Sequence, residues 1–270
     1  RNARFGFGSG NGAVVDPNTE SQPCSQPQAV YGNLTMGMTA ENLAVQYQIA
    51  REEQDDFAYS SQYKADQAIK NGTFKDEIMP VAIRSGKDQV LFTQDEHPRL
   101  TPREKLAQLS PVFKKNGTVT AGNSSGRNDG AAAILVASRE YADTHGLKPL
   151  ARVIAYAAAG VSPDIMGIGP APATRKALQQ AGISLDQIDI VELNEAFAAQ
   201  SLAVIKELNL DVSKVNVSGG AIALGHPIGC SGSRILVTLL HEMRRRESRY
   251  GLATLCIAGG LGISLIVERI

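Results

Sequence analysis

The chain has 270 residues, 43% of them hydrophobic, and its 27 basic residues balance its 27 acidic ones. That length supports one large domain or two with a well-buried core, and zero net charge excludes the basic footprint of a nucleic-acid binder. No apolar run is long enough to cross a bilayer, so no membrane is expected as partner. Arg1-Asn2-Ala3-Arg4 leads into no apolar stretch, which argues against a secretory signal, and the absence of a first methionine implies a processed start or part of a longer polypeptide. Three cysteines, Cys24, Cys230 and Cys256, are too few for a disulfide scaffold and lack zinc spacing. A reducing, cytoplasmic setting with no metal is expected.

Residues 1–38 are rich in glycine, proline, asparagine and glutamine and read as an irregular arm, with a hairpin expected around Gly8-Ser9-Gly10-Asn11-Gly12. Thr39 is the expected cap of a short helix over 40–47. A longer helix is expected over 51–70, opened by Glu52, Glu53, Asp55 and Asp56 and stopped by Asn71-Gly72. Residues 78–93 alternate like a strand pair broken at Ser85-Gly86. Thr101-Pro102-Arg103-Glu104 reads as a capping box with proline at the first helical position, opening a short helix to about Leu109. Thr120 to Gly130 is a small-residue loop, and residues 131–137 form an apolar run that fits helix or strand equally. From Leu150 onward strands and helices alternate. Strands are expected over 152–159, 188–193, 215–217, 253–257 and 263–268, and helices over 172–181, 195–208 and 229–246. This is a layered α/β domain.

The chemistry concentrates in three glycine-rich or small-residue segments. Gly219-Gly220-Ala221-Ile222-Ala223-Leu224-Gly225-His226-Pro227-Ile228-Gly229-Cys230-Ser231-Gly232 frames one histidine with five glycines. A purely structural histidine does not need that frame, so His226 is the strongest candidate for a proton acceptor and hydrogen-bond donor. Cys256 precedes the Ala258-Gly259-Gly260 turn, whose N–H groups can lower a thiol pKa or hold an oxyanion. Asn194 lies between an expected strand and helix, as an ordinary cap or as a catalytic amide. Glu195 is either a first-turn acid or a brace for the histidine. Ser124 and Ser125 belong either to a plain loop or to a ligand contact. Cys230 reads as helix packing and Cys24 as incidental. An amide, an imidazole and a thiol beside small residues suit acyl transfer on a thioester.

Met36-Gly37-Met38-Thr39-Ala40-Glu41-Asn42, Gly117 to Gly126, Asn194-Glu195-Ala196-Phe197, the His226 segment and the Cys256 turn, taken together, resemble the thiolases in content and order. The resemblance implies a layered α-β-α-β-α fold of two similar halves with an inserted loop domain. Here residues 1–119 would be loop domain and arm, 120–149 the end of the first half, and 150–270 the second half. It implies reversible acyl transfer between 3-ketoacyl-CoA and acetyl-CoA, with coenzyme A as substrate rather than cofactor. His226 matches the histidine that activates the nucleophile and contributes to an oxyanion hole, Asn194 the amide of that hole, and Cys256 the acid/base cysteine. Ser125 and Gly126 match the loop that grips CoA. Met36, Ala196 and Phe197 match apolar contacts to pantetheine and acyl group, and Arg99 a basic contact to the nucleotide. A homodimer or homotetramer is implied, or pairing with the first half.

Three departures accompany the resemblance. No Cys-Gly-Ser-Gly-like segment carries a nucleophile, and Cys24, in Gln22-Pro23-Cys24-Ser25-Gln26, does not match it. Ala258 stands where many members have glycine, at the residue whose N–H serves an oxyanion hole. Arg127 stands at a position that is often apolar. The expectation is an acyltransferase whose nucleophile lies outside these 270 residues. The alternative is an inactive fragment or split subunit that binds CoA or a partner chain. A ketoacyl synthase of the same fold class would need a second catalytic histidine, which the Cys256 segment does not offer.

Overall fold

The computed structural model describes residues 22–270, so the hairpin expected near Gly8 lies outside the described residues. The described part of the arm is partly helical. Residues 22–24 are helical and α1 spans Gln28–Tyr31. Helix α2, Met36–Gln46, starts four residues before its expected start. Its cap is Thr35, whose hydroxyl accepts from the Met38 N–H, whereas Thr39 sits inside the helix and donates to the Met36 carbonyl at 2.7 Å. Helix α3, Arg51–Lys70, has the expected bounds and ends at Asn71, followed by Gly72 at φ 70°. Strands β1, Val81–Ser85, and β2, Asp88–Phe92, form the expected antiparallel hairpin.

Helix α4, Arg103–Ala107, does not use the expected capping box. Pro102 is the cap residue itself, and the Thr101 N–H donates instead to Gln62 Oε1 on α3 at 2.7 Å. Residues 131–137 are neither helix nor strand. Leu135 and Val136 are each 79% exposed. A β-type run needs a neighbouring backbone for its N–H and C=O groups, and no described strand pairs with it. Helix α5, Arg139–Thr144, follows, capped by the Ser138 hydroxyl.

The second half of the chain builds one sheet and its helices: β3 Ala151–Gly160, α6 Pro170–Ala181, β4 Ile190–Leu193, α7 Ala198–Leu208, α8 Ala221–Leu224, α9 Ser231–Arg245, β5 Tyr250–Ile257 and β6 Leu261–Arg269. The strand order is β3-β6-β5-β4; β4 and β5 run parallel and the other pairs antiparallel. Three elements differ from expectation. Helix α7 starts at Ala198 rather than Glu195, because Asn194 to Phe197 form a separate turn. Residues 215–217 make a single bridge from Val215 to Val191, since Asn216 takes a left-handed φ of 45° that no strand continues. Helix α8 interrupts the glycine segment where none was expected.

Alternation along the strands sorts the core into layers. Val191, Leu193, Leu252 and Ile266 pack with Leu43 of α2, Ala171 and Ala177 of α6, and Val204 of α7. Ile190, Ala253 and Val267 face the other way, against Ile235, Leu239 and Met243 of α9. Each such fully buried aliphatic side chain is worth about 1.5–3 kcal/mol. Helix α9 covers only part of its face. Beyond it the register continues the same face through Val153, Tyr156, Ile257, Leu261 and Ile263, all exposed, Tyr156 to 69%. Among the described residues nothing layers over this apolar face, and exposed apolar patches of this kind are typical of interaction surfaces.

Where α6 enters the sheet, β6 passes it backbone to backbone. A Cβ on Gly262 would lie 2.0 Å from the Gly169 carbonyl carbon, so only glycine fits. Gly262→Ala is therefore expected to cost about 1–3 kcal/mol or more through overpacking. Gly232→Ala, where a Cβ meets nothing within 4 Å at the start of α9, is expected to be neutral or stabilising. Urea unfolding of the two variants beside the parent chain checks the contrast.

Candidate active site

Four segments converge at the ends of β4 and β5. Strand β4 stops at Leu193 because Asn216 replaces a strand neighbour. Its side chain accepts from the Leu193 N–H at 2.9 Å and donates to the Leu193 carbonyl at 2.8 Å. The chain then turns through Asn194 to Phe197, held by the Asn194 N–H to the Thr254 carbonyl of β5 at 3.0 Å. The loop at 118–126 docks on this turn. Ser124 bridges Phe197, the Ala198 N–H donates to the Asn123 carbonyl, and both the N–H and the hydroxyl of Ser125 donate to the Ala196 carbonyl at 3.0 and 3.1 Å. The loop's own base is fixed by Glu41 of α2, buried, whose carboxylate accepts from the N–H groups of Thr118 and Val119 at 2.8 Å each.

The third segment carries His226. Its N–H donates to the Gly126 carbonyl at 3.1 Å and lies 3.2 Å from Asn128 Oδ1, and Arg127 pairs with it as a backbone bridge. The ring is half-buried. Nδ1 lies 2.6 Å from the Ser231 hydroxyl, and Nε2 lies 3.5 Å from Asn194 Nδ2. Burial, with the positive charge of Arg234 second, pushes the imidazole pKa down to about 4. His226 is thus neutral at physiological pH and can accept a proton. Asn194 is fully buried, and its Oδ1 has no partner among the described residues. A buried carbonyl oxygen of that kind calls for a donor from a ligand or water.

The fourth segment is the β5–β6 turn. Cys256 packs with Met36, Ala40, Ala44, Ala196 and Phe197 in one apolar cluster. The Gly259 N–H is committed to Gln22 Oε1 at 2.9 Å, and Ala258, the oxyanion donor implied by the resemblance, precedes it in the turn. From the sequence, the turn's N–H groups could either lower the Cys256 pKa or hold an oxyanion. Burial instead pushes it up to about 12, because the thiol faces apolar side chains rather than converging donors. Cys230 is the buried cap residue of α9, and burial raises its thiol too. Cys24 is exposed.

The structure therefore brings together His226, Asn194, Cys256, Ala196, Phe197, Met36, Ser125 and Gly126. Ser125 has spent its hydroxyl proton on Ala196, so it offers a ligand an acceptor rather than a donor. Arg99 makes none of these contacts; it is exposed, its charge felt by His97. Glu195 braces the histidine segment rather than the ring. Its buried carboxylate accepts from Ser61 Oγ at 2.7 Å, Asn216 Nδ2 at 2.7 Å and the Ile222 N–H at 3.1 Å. Two residues escaped the sequence reading. Phe113 meets Phe197 edge-on at 5.9 Å between ring centres. His97 Nδ1 lies 3.3 Å from Asn128 Nδ2, with its ring against Gly126. Each is a lone residue in a loop without a motif around it.

Comparison with known proteins gives the family of the chain. The profile described as "Thiolase, N-terminal domain" matches residues 12–140, and "Thiolase, C-terminal domain" matches residues 147–269. An acetyl-CoA acetyltransferase of Pseudomonas aeruginosa is 55% identical over 269 residues, 99% of this chain and 67% of its own length. The chain belongs to the thiolase family. An acetyl-CoA acetyltransferase of Syntrophomonas wolfei is 57% identical over 252 residues, 90% of this thiolase chain and 64% of its own length. The crystal structure of the Bacillus anthracis acetyl-CoA acetyltransferase superposes with a TM-score of 0.88 at 48% identity, covering 99% of this chain and 67% of that one. Human mitochondrial 3-ketoacyl-CoA thiolase in complex with CoA superposes at 0.85 with 47% identity, covering 98% and 66%. The fold is thus thiolase-like, and the chain spans about two thirds of the length of these relatives. Among the described residues no helix is long and apolar enough to cross a membrane.

The thiols of this thiolase chain should alkylate in the order set by exposure and burial. Under native conditions iodoacetamide is expected to label Cys24 first, with Cys256 and Cys230 at least tenfold slower, because reaction needs an accessible thiolate. Peptide mass mapping over a time course reads the order; fastest labelling at Cys256 would contradict the burial argument.

Proposed function

We propose that this chain carries the acid/base and oxyanion half of a thiolase site, acting in reversible acyl transfer between 3-ketoacyl-CoA and acetyl-CoA. The observation that carries the reading is neutral His226 facing Asn194, whose buried Oδ1 has no partner among the described residues, beside the Ala196-Phe197 turn against which Cys256 packs. In cleavage, a cysteine thiolate adds to the keto carbon and the C2–C3 bond breaks. The acyl group stays on sulfur, and the electron pair passes to the departing acetyl-CoA as an enolate. The Cys256 thiol protonates that enolate. A thiol held near 12 remains loaded with its proton until so strong a base appears, which suits it to the role. His226 takes the proton of the attacking thiol at Nε2, and Asn194 and the Ala258 N–H supply polar contacts where negative charge develops on oxygen. Ser125, Gly126, Met36, Ala196 and Phe197 hold the pantetheine, and Arg99 the nucleotide.

The attacking cysteine is not among the three in this sequence. Cys24 is exposed on the arm, Cys230 is buried as a helix cap, and Cys256 is committed to proton transfer. The uncovered sheet face through Val153, Tyr156 and Ile263 supports a second reading, in which the chain works as one part of a larger assembly that covers that face. Either a second copy or a complementary thiolase half would serve.

Thiolysis of acetoacetyl-CoA by purified chain of confirmed mass tests the proposal. The chain alone is expected to bind CoA and to show no turnover. Turnover that survives Cys24→Ser, with no longer polypeptide or partner in the sample, would overturn the account of the nucleophile.

A further inference from the structure

Ser231 is the first residue of α9 and only 1% exposed. Its hydroxyl oxygen lies between two groups, the Pro227 carbonyl at 3.0 Å and His226 Nδ1 at 2.6 Å. A carbonyl can only accept, so the single hydroxyl proton points to Pro227 and the oxygen presents a lone pair to Nδ1. Nδ1 must then carry the ring proton. On the far side of the ring Asn194 Nδ2 lies 3.5 Å from Nε2, too long a contact to set the ring's protonation by itself. The tautomer is therefore set from the Ser231 side.

We infer that Ser231 is a positioning residue that fixes His226 in the Nδ1–H tautomer, so that Nε2 faces the site as a free base. This rests on the proposed role of His226 as the proton acceptor and gives it a cause. A neutral imidazole without such a partner favours the proton on Nε2, where it would be useless for taking a proton from a thiol. In the step served, the proton moves from the attacking sulfur to Nε2, leaving thiolate and imidazolium, and the Nδ1–H bond to Ser231 stays in place. Donation of a hydrogen bond from Nε2 to an oxyanion becomes available only after that transfer. The sequence reading gave the histidine both roles; the geometry orders them in time. A hydroxyl one helical turn beyond the histidine, at the start of a helix whose backbone is fixed by Pro227, holds the ring orientation as well as the tautomer.

The test is the nitrogen spectrum of the resting chain labelled with ¹⁵N-histidine, recorded near neutral pH, with His226→Gln assigning the signal among the four histidines. The parent chain is expected to show a pyrrole-like Nδ1 and a pyridine-like Nε2 for His226. Ser231→Ala should exchange the two assignments, making Nε2–H the major species, and Ser231→Thr should keep the parent pattern. A pyridine-like Nδ1 in the parent chain overturns the inference, as does a Ser231→Ala spectrum unchanged from the parent. If the alanine variant does not fold, the parent spectrum alone decides. Because the measurement needs no turnover, its failure is separable from failure of the thiolysis assay.

Discussion

The site depends on one buried carboxylate. Glu195 gathers a hydroxyl from α3, an amide from Asn216 and a backbone N–H from α8 onto its two oxygens. Burial pushes its pKa up, and these three donors pull against that. A buried carboxylate is costly unless its lone pairs are satisfied, and this one accepts from three donors, on α3, at Asn216 and on α8. Ser61 extends the network by accepting from the Gly220 N–H at 3.0 Å. Gly220 must be glycine for the carboxylate to fit, since a Cβ there would lie 2.2 Å from Glu195 Cδ. The histidine segment is therefore pinned ahead of His226, and Asn194 is pinned beside it by its neighbour in sequence.

The chemistry sits one step outward from this network and is kept uncharged. Burial lowers the imidazole pKa and raises that of the Cys256 thiol, so both groups rest in their neutral forms. Charge then appears only as substrate reacts, next to donors already in place, which is where preorganised polar groups are worth most. The hydrogen-bonded carboxyl group of Glu195 and the weakly bonded groups facing the ligand have opposite requirements. The turn from Asn194 to Phe197 separates them by pointing successive side chains to different sides.

Much of this was legible in the sequence. Helix α3 was readable end to end because acids at its start and Asn71-Gly72 at its stop act locally. The hairpin of β1 and β2 and the strands β3, β5 and β6 were readable from alternation. The grouping of His226, Asn194 and Cys256 was readable because glycines and small residues surround each of them. What was not legible depends on tertiary contacts. The cap of α2 moved to Thr35, Thr101 gave its N–H to Gln62, and Asn216 left the strand region to support β4 from the side. Residues 131–137 fit helix or strand equally in sequence and form neither, since a strand there would require a partner that the described residues do not supply. Cys256 sits before a turn rich in N–H groups, but its pKa follows the apolar side chains that surround it, which no local pattern encodes. His97 and Phe113 entered the site from loops far along the chain.

The claim that Glu195 organises the site is tested most directly by amide hydrogen exchange in Glu195→Gln. The substitution keeps the shape but turns an acceptor oxygen into a donor facing Ser61, Asn216 or the Ile222 N–H, leaving at least one of them unsatisfied, at a cost of about 1–3 kcal/mol. The account predicts that protection at residues 220–224 falls roughly tenfold or more while the β5–β6 ladder keeps its parent protection. Unchanged protection at Ile222 in the folded variant would contradict it.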